Sequence, residues 1–319
     1  MSGMPRRIVM DVDTGTDDAL AILYALAHPD LEVLGISCVA GNVTLDQVVI
    51  NTCKVLDAAG AGDMPVAAGA AQPLIERARR PGGSHGADGL AGIWLPETSR
   101  HRSPFNAVDL LYHLIMASAE PMSLVTLAPK TNAAMLLTMH PDVVARLEQI
   151  IFMGGSVGGN VTEVAEFNVW QDPEAASCVI ESSIPTIMYG FDLFGRLAVS
   201  QADTERFRGH DHPAVRLVGE LLNRRRVHAD DSTHDCVGLL GDAGAMVLLT
   251  NPELFVISEF PVRVNLAGIG RGQTIVDQPT SHGGTGHDPD PWPRIVVAVD
   301  LDAAQAALTF VKVIDSYAA

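Results

Sequence analysis

Asp11-Val-Asp-Thr-Gly-Thr-Asp-Asp18 follows the apolar Ile8-Val-Met10 and runs straight into Ala19-Leu-Ala-Ile-Leu-Tyr-Ala-Leu-Ala27. The run before it has the character of a short buried strand, and the Ala/Leu-rich run after it that of a helix. Four aspartates therefore sit at one strand-to-helix turn. Gly15 permits the tight bend, and Thr16 or Asp17 is expected to cap the first helical turn, where exposed N–H groups favour negative charge. Capping accounts for one or two of the acids. Two unit charges ~4 Å apart repel by roughly 4 kcal/mol at an effective dielectric near 20, so converging carboxylates require a cation or raised pKa values. Oxygen-only donors at a turn suit a hard divalent ion, Ca²⁺ or Mg²⁺. Zinc would want His or Cys nearby in sequence, and none is there.

Outward from that turn, strands and helices alternate. Residues 31–40 form a second apolar strand ending in Gly41-Asn42, Thr44 opens the next helix, and residues 64–68 and 122–127 are further strand candidates. Residues 77–98, rich in Gly, Arg and Pro, are expected to be a long loop. Thr131-Asn132 starts a helix, residues 150–153 form a strand that breaks into Gly154-Gly-Ser-Val-Gly-Gly159, and the non-periodic stretch 160–170 carries Glu166 and Asn168. Asp172-Pro173 opens a helix with proline at its first position. Later helices are expected over 212–227, 235–249 and 302–313, and strands over 185–189, 256–264 and 294–299. This order predicts an α/β fold: an open, mostly parallel, doubly wound (Rossmann-like) sheet with helices on both faces, in a single domain over 1–319. Ligands of such sheets bind beyond the carboxyl ends of the strands. Asp11, Asp13, Asn42, the 127–132 turn and the 154–168 loop all follow strand ends.

The 319 residues are 47% hydrophobic and carry a formal charge of −17. Backbone contacts to nucleic acid need clustered Lys and Arg that this chain lacks, so no nucleic-acid partner is expected and a neutral small molecule is the default ligand. Cys38, Cys53, Cys178 and Cys236 are scattered without CxxC spacing and read as buried free thiols. With no apolar stretch of about 18 uncharged residues and no leader with a cleavage site, no membrane partner and a cytoplasmic location are expected.

Taken together, the segments resemble the inosine-uridine-preferring nucleoside hydrolase family over nearly the whole chain. The opening aspartate motif is similar to that family's, as are Val39-Ala-Gly-Asn42, Ser84-His-Gly-Ala-Asp-Gly-Leu90, Leu127-Ala-Pro-Lys-Thr-Asn132, Phe152-Met-Gly-Gly155, Ala165-Glu-Phe-Asn168, Asp172-Pro-Glu-Ala175 and Thr233-His-Asp235, in register. The resemblance implies a Ca²⁺-dependent enzyme that hydrolyses the N-glycosidic bond of ribonucleosides to ribose and free base, working as a homodimer or homotetramer. By matched position it implies Asp13, Asp18, Asp235 and the backbone carbonyl of Leu127 as metal ligands, with Asp13 also taking a proton from the attacking water. Asp17, Asn42, Asn160, Glu166 and Asn168 would hold the ribose hydroxyls, and Met153 would pack beside them. His234 would protonate the departing base, and His85 would be a second base-side histidine. Residues 77–98 and 223–232 would be the loops that close over the base.

Cleavage of a glycosidic C–N bond builds positive charge on the sugar, which a preorganised negative cluster stabilises. The chain departs from the family pattern at Thr14, where proline is usual, at Lys130, where an aliphatic residue is usual, at Cys236-Val-Gly, and in Gly190-Phe-Asp-Leu-Phe-Gly-Arg196, which lacks a histidine common there. A cation at position 130 is expected to compete with, or form an ion pair near, the metal site. Two rival readings are a nucleoside-binding sensor without turnover and a haloacid-dehalogenase-type phosphatase built on Asp11-Val-Asp13. The second has Gly15 where that nucleophile motif needs threonine.

Overall fold

The computed structural model describes residues 4–79, 83–228, 236–278 and 291–318. The first part of the chain runs β1 (Arg6–Val12), α1 (Thr16–Ala27), β2 (Leu31–Cys38), α2 (Leu45–Ala58), β3 (Val66–Ala68), α3 (Ala107–Ala117), β4 (Met122–Thr126) and α4 (Thr131–Met139). It continues through β5 (Leu147–Met153), α5 (Phe167–Gln171), α6 (Pro173–Ile180), β6 (Thr186–Tyr189), α7 (Phe191–Phe194), β7 (Ala198–Val199), α8 (Gln201–Arg208) and α9 (Pro213–Arg224). The last part comprises β8 (Arg226–His228), β9 (Cys236–Leu239), α10 (Ala243–Thr250), β10 (Phe255–Val264), β11 (Thr274–Val276), β12 (Arg294–Leu301) and α11 (Ala303–Asp315).

Nine strands form one sheet in the order β11-β10-β12-β6-β5-β4-β1-β2-β3. All its pairings are parallel except those of β10 with β12 and β11, so the expected doubly wound, mostly parallel α/β sheet is what the chain forms. Strand β1 lies between β2 and β4, where the winding direction reverses. The crevice beyond such a reversal is where ligands bind. The side chains of β1 alternate, with Ile8, Met10 and Val12 in the core on one face and Val9 in the core on the other. Helices on both faces complete these cores.

Four local expectations are corrected. The N-cap of α1 is Gly15, not Thr16 or Asp17, and the Asp18 carboxylate reaches back to accept from Gly15 N (2.9 Å) and Asp13 N (3.3 Å). A side chain three residues in does the capping because Thr16 and Asp17 are already held by His85 and Arg225. The stretch 160–170 is not wholly irregular, since Glu166 caps α5 by accepting from Asn168 N and Val169 N. The apolar run 235–249 is not one helix. It is β9 followed by α10, because Cys236–Leu239 pairs antiparallel with both β7 and β8 in a small second sheet, and Gly241 turns at φ +60° before the helix. Of the cysteines, Cys38 and Cys53 are buried free thiols as expected, but Cys178 is only half-buried, at the rim of α6.

One glycine of α10 is set by close approach. A Cβ on Gly244 would lie 2.1 Å from the hydroxyl of fully buried Tyr189. Ala gains at most about 1 kcal/mol of helix propensity over Gly, whereas overpacking a core costs about 1–3 kcal/mol. Gly244→Ala is therefore expected to be net destabilising by about 1–2 kcal/mol, read as a lower urea midpoint at unchanged slope. An unchanged midpoint would contradict this packing.

Candidate active site

The carboxyl ends of β1, β2, β4 and β5 deliver their polar residues to one cleft of about 310 Å³. Asp13 follows β1, Asn42 follows β2, Leu127 follows β4 and Met153 closes β5, and all four line it. Asp17, His85, Asn160, Glu166 and Asn168 line it as well. The structure thus brings together nine of the residues singled out from the sequence, while Asp18 sits directly beneath, fully buried. His234 and Asp235 lie outside the described residues.

Asp13 is held by an accepted bond from Asn42 N at 2.7 Å, and Gly41 makes the approach possible, since a Cβ there would fall 2.0 Å from Asp13 Oδ2. Asp11, by contrast, is buried below the cleft, its Oδ1 accepting from Ser37 Oγ (2.6 Å) and Asn132 Nδ2 (2.8 Å). A phosphatase nucleophile has to be reachable, and Asp11 is not.

A carboxylate that sequence reasoning missed joins the cluster. Asp242, just ahead of α10, offers an oxygen within 4.8 Å of oxygens of Asp17 and Asp18, and all three side chains are buried. The missed signal was Gly241-Asp242 before a helix, hidden by reading that helix as starting at residue 235. Burial and the charge of the neighbouring aspartates push Asp13 and Asp242 well above the usual carboxylate range and raise Asp18 to about 7. Asp17 behaves oppositely. Although burial alone would raise it, Arg225 and His85 hold it below its ordinary value, Arg225 Nη2 at 3.3 Å and His85 Nδ1 at 3.5 Å. Asp17 already has the Arg225 guanidinium as its counter-ion, and together with Asp18, Asp242 and the neighbouring Asp13 it makes a buried acidic set. The Leu127 carbonyl, which accepts from Asn168 Nδ2, adds a neutral oxygen on a residue that lines the same cleft. An all-oxygen donor set of this kind fits a hard divalent cation.

Around this centre the donors and acceptors are tightly specified. Glu166 accepts from Gly155 N at 2.9 Å as well as capping α5, and Asn168 Nδ2 donates to Leu127 O at 2.8 Å, leaving Asn168 Oδ1 buried without a hydrogen-bond partner. Asn160 Oδ1 accepts from Phe167 N at 2.9 Å. His85 Nδ1 accepts from Thr16 N at 3.2 Å, and burial lowers its pKa, so the neutral ring carries its proton on Nε2. Lys130 donates to backbone carbonyls and not to the carboxylates of the cluster. Fully buried, it donates from Nζ to Ala128 O at 2.7 Å and to Met153 O, and supplies positive charge toward Glu166, Asp13, Asp242 and Asp11. At another side of the cleft, Phe191 and Phe194 stack with ring centroids 5.1 Å apart, and the Arg225 guanidinium lies 5.3 Å over Phe194. Acids and amides suit sugar hydroxyls, and flat aromatic faces suit a heterocycle.

Residues 8–306 match the family described as inosine-uridine preferring nucleoside hydrolase. The chain is 39% identical over 298 residues to the pyrimidine-specific ribonucleoside hydrolase RihA of Escherichia coli O9:H4 (strain HS), covering 92% of this chain and 94% of that one. It is 38% identical to RihA of Citrobacter koseri over 92% of this chain and 93% of that one. Among solved structures, the plant nucleoside hydrolase PpNRh1 superposes with a TM-score of 0.87 at 28% identity, over 97% of this chain and 99% of that one. A purine-preferring ribonucleoside hydrolase from Gardnerella vaginalis does so with a TM-score of 0.87 at 26% identity, over 98% and 99%.

Proposed function

Because this chain belongs to the inosine-uridine-preferring nucleoside hydrolase family, whose members are enzymes acting on N-glycosyl compounds, we propose that it hydrolyses ribonucleosides to ribose and free base in a calcium-dependent reaction. The observation that carries this reading is the buried acidic group in which Asp17, Asp18 and Asp242 bring oxygens within 4.8 Å of one another, beside Asp13, at a cleft lined by carboxylate, amide and aromatic side chains. The proposed ligands are those three carboxylates and the Leu127 carbonyl, Asp242 supplying the third carboxylate that the sequence assigned to Asp235. When bound, the ion supplies positive charge that anchors the ribose diol and acidifies the attacking water.

The chain's own groups do the rest. Asp13 accepts the proton of the attacking water. Asp17, Asn42, Asn160, Glu166 and Asn168 orient the ribose hydroxyls, with Met153 packed beside them, so that the sugar is presented with its glycosidic carbon toward Asp13. The negative field of the carboxylates stabilises the oxocarbenium-like transition state. His234 is assigned to protonate the departing base, and His85 to contact it. Residues 77–98, which contribute His85 to the cleft, are proposed to close over the base. Of the expected loop 223–232, residues 223–224 instead end α9, 226–228 form β8 with Arg225 lining the cleft between them, and 229–232 lie outside the described residues. No described helix is long and apolar enough to cross a membrane, and the proposed location is the cytoplasm. The expected assembly is a homodimer or homotetramer.

The test is a reducing-sugar assay with inosine, uridine, adenosine and cytidine, run beside phosphate release from p-nitrophenyl phosphate. Ribose from any nucleoside supports the reading, and the rank of rates assigns the base preference, for which the relatives' names point to both pyrimidines and purines. Phosphate release in its place, or nucleoside binding without turnover, would overturn it. A second expectation concerns stability. Chelation is expected to lower the melting temperature, and Ca²⁺ at 100 times its Kd to restore about 2.7 kcal/mol. Superimposable melting curves with and without chelator would count against a metal at this site.

A further inference from the structure

Breaking the C1′–N bond separates charge, leaving the ribose electron-poor and the base electron-rich. The carboxylates answer only the first half of that dipole. A fixed cation on the wall of the same cleft is the complement that the second half of that dipole calls for.

Arg225 is that group. Its side chain is 11% exposed and fixed on several sides: Nε donates to Leu239 O at 3.0 Å, Nη1 to Thr16 Oγ1 at 3.1 Å, and Nη2 lies 3.3 Å from Asp17 Oδ2. Guanidinium has five N–H donors, so this anchoring leaves two on the terminal nitrogens of a side chain that lines the cleft. The local backbone makes room for it. Gly241 stands directly before Asp242 at φ +60°, and a Cβ there would meet Arg225 Nη2 at 2.7 Å. The guanidinium fills the space that a side chain adjoining Asp242 would take. It lies over Phe194, whose stacked partner is Phe191, so charge and aromatic faces occur together as a departing heterocyclic anion requires.

We propose that Arg225 stabilises the negative charge that develops on the departing base, by donating to the ring nitrogen or carbonyl oxygen on which that charge settles. The proposal rests on the hydrolase reading above. In the step, the C1′–N electron pair passes to the ring nitrogen and spreads onto the conjugated carbonyl oxygens, while the oxygen of water bonds to C1′. The water's proton goes to Asp13 while the base takes its proton from His234, the assigned donor, whose lost proton is then replaced by that of Asp13, so nucleoside and water yield ribose and neutral base. Arginine stays charged at all working pH values and hands over no proton. Its contribution is electrostatic, greatest where the leaving charge can sit on an oxygen within its reach.

The test compares wild type, Arg225→Ala, Arg225→Gln and Arg225→Lys on uridine, inosine, cytidine, adenosine and p-nitrophenyl β-D-ribofuranoside, whose nitrophenolate departs with little help. Loss of one preorganised donor to a developing anion costs about 10²–10³-fold in kcat. Arg225→Ala and Arg225→Gln are expected to lose that much on uridine and inosine but less than about tenfold on the nitrophenyl riboside. Arg225→Lys should recover part of the loss, as should added guanidinium chloride with Arg225→Ala. An equal loss on every substrate, including the nitrophenyl riboside, would mean that Arg225 only props Asp17, and would overturn the proposal. So would undiminished turnover of uridine and inosine by a folded Arg225→Ala protein. If the wild type itself releases no ribose from any nucleoside, the hydrolase reading fails and this proposal with it, an outcome distinct from the other two.

Discussion

Asp13→Ala is expected to lower kcat on the best nucleoside by about 10³-fold or more, since general-base catalysis alone is worth about 10²–10⁴. Asp13 lines the cleft, is gripped by Asn42 N, and shares the field of Asp18, so the substitution removes the proton acceptor and a cation ligand together. Stability should move the other way. Burial first, and then the Asp18 charge, raise the Asp13 pKa, so in chelator the folded chain binds more protons than the unfolded one. Metal-free stability therefore falls as pH rises from the ordinary carboxylate range through about 7, where Asp18 titrates. Asp13→Asn is expected to be at least as stable as wild type in chelator and to gain less from Ca²⁺. Steady-state kinetics and paired melting curves check both signs. Retained turnover would remove Asp13 from the mechanism.

Lys130→Met carries the largest expected stability cost, about 3–5 kcal/mol, the range for breaking a buried charge network by deleting one partner. The ammonium is fully buried, ties the turn after β4 to the end of β5 through Ala128 O and Met153 O, and lies 5.1 Å over the Phe152 ring. Methionine matches its length but leaves Glu166 and the aspartates without their internal cation. Burial lowers the lysine pKa from 10.5 to about 8. Between those values the folded protein binds fewer protons than the unfolded chain, so this lysine makes wild-type stability rise with pH across that window. Lys130→Met should lack the rise. Urea midpoints at several alkaline pH values read it directly, and parallel wild-type and variant curves would mean that Lys130 is not the buried cation of the site.

Much of this site was legible because the chemistry lies at strand ends. Asp13, Asn42, Leu127 and Met153 each follow or close an apolar run, and that position alone predicts convergence. Asp242 was not, because an apolar run cannot be divided into strand and helix by composition. Cys236–Leu239 becomes a strand only through its pairing with β7 and β8, a tertiary fact. Glu166 was legible as a site residue but not as the cap of α5 or the acceptor for Gly155 N. Lys130 was visible as a departure. That its ammonium turns toward two backbone carbonyls depends on the β4 and β5 loops meeting. Arg225 is one basic residue in a run of three, Arg224 to Arg226, and only the space above Gly241 sets it apart.

The most direct test of the account is ribose release from uridine and inosine by chelator-stripped protein as Ca²⁺ is titrated back. The account predicts no turnover without metal, recovery that saturates at one Ca²⁺ per chain, and no recovery when Asp242 is replaced by Ala. Full turnover in chelator, or equal recovery in Asp242→Ala, would contradict it.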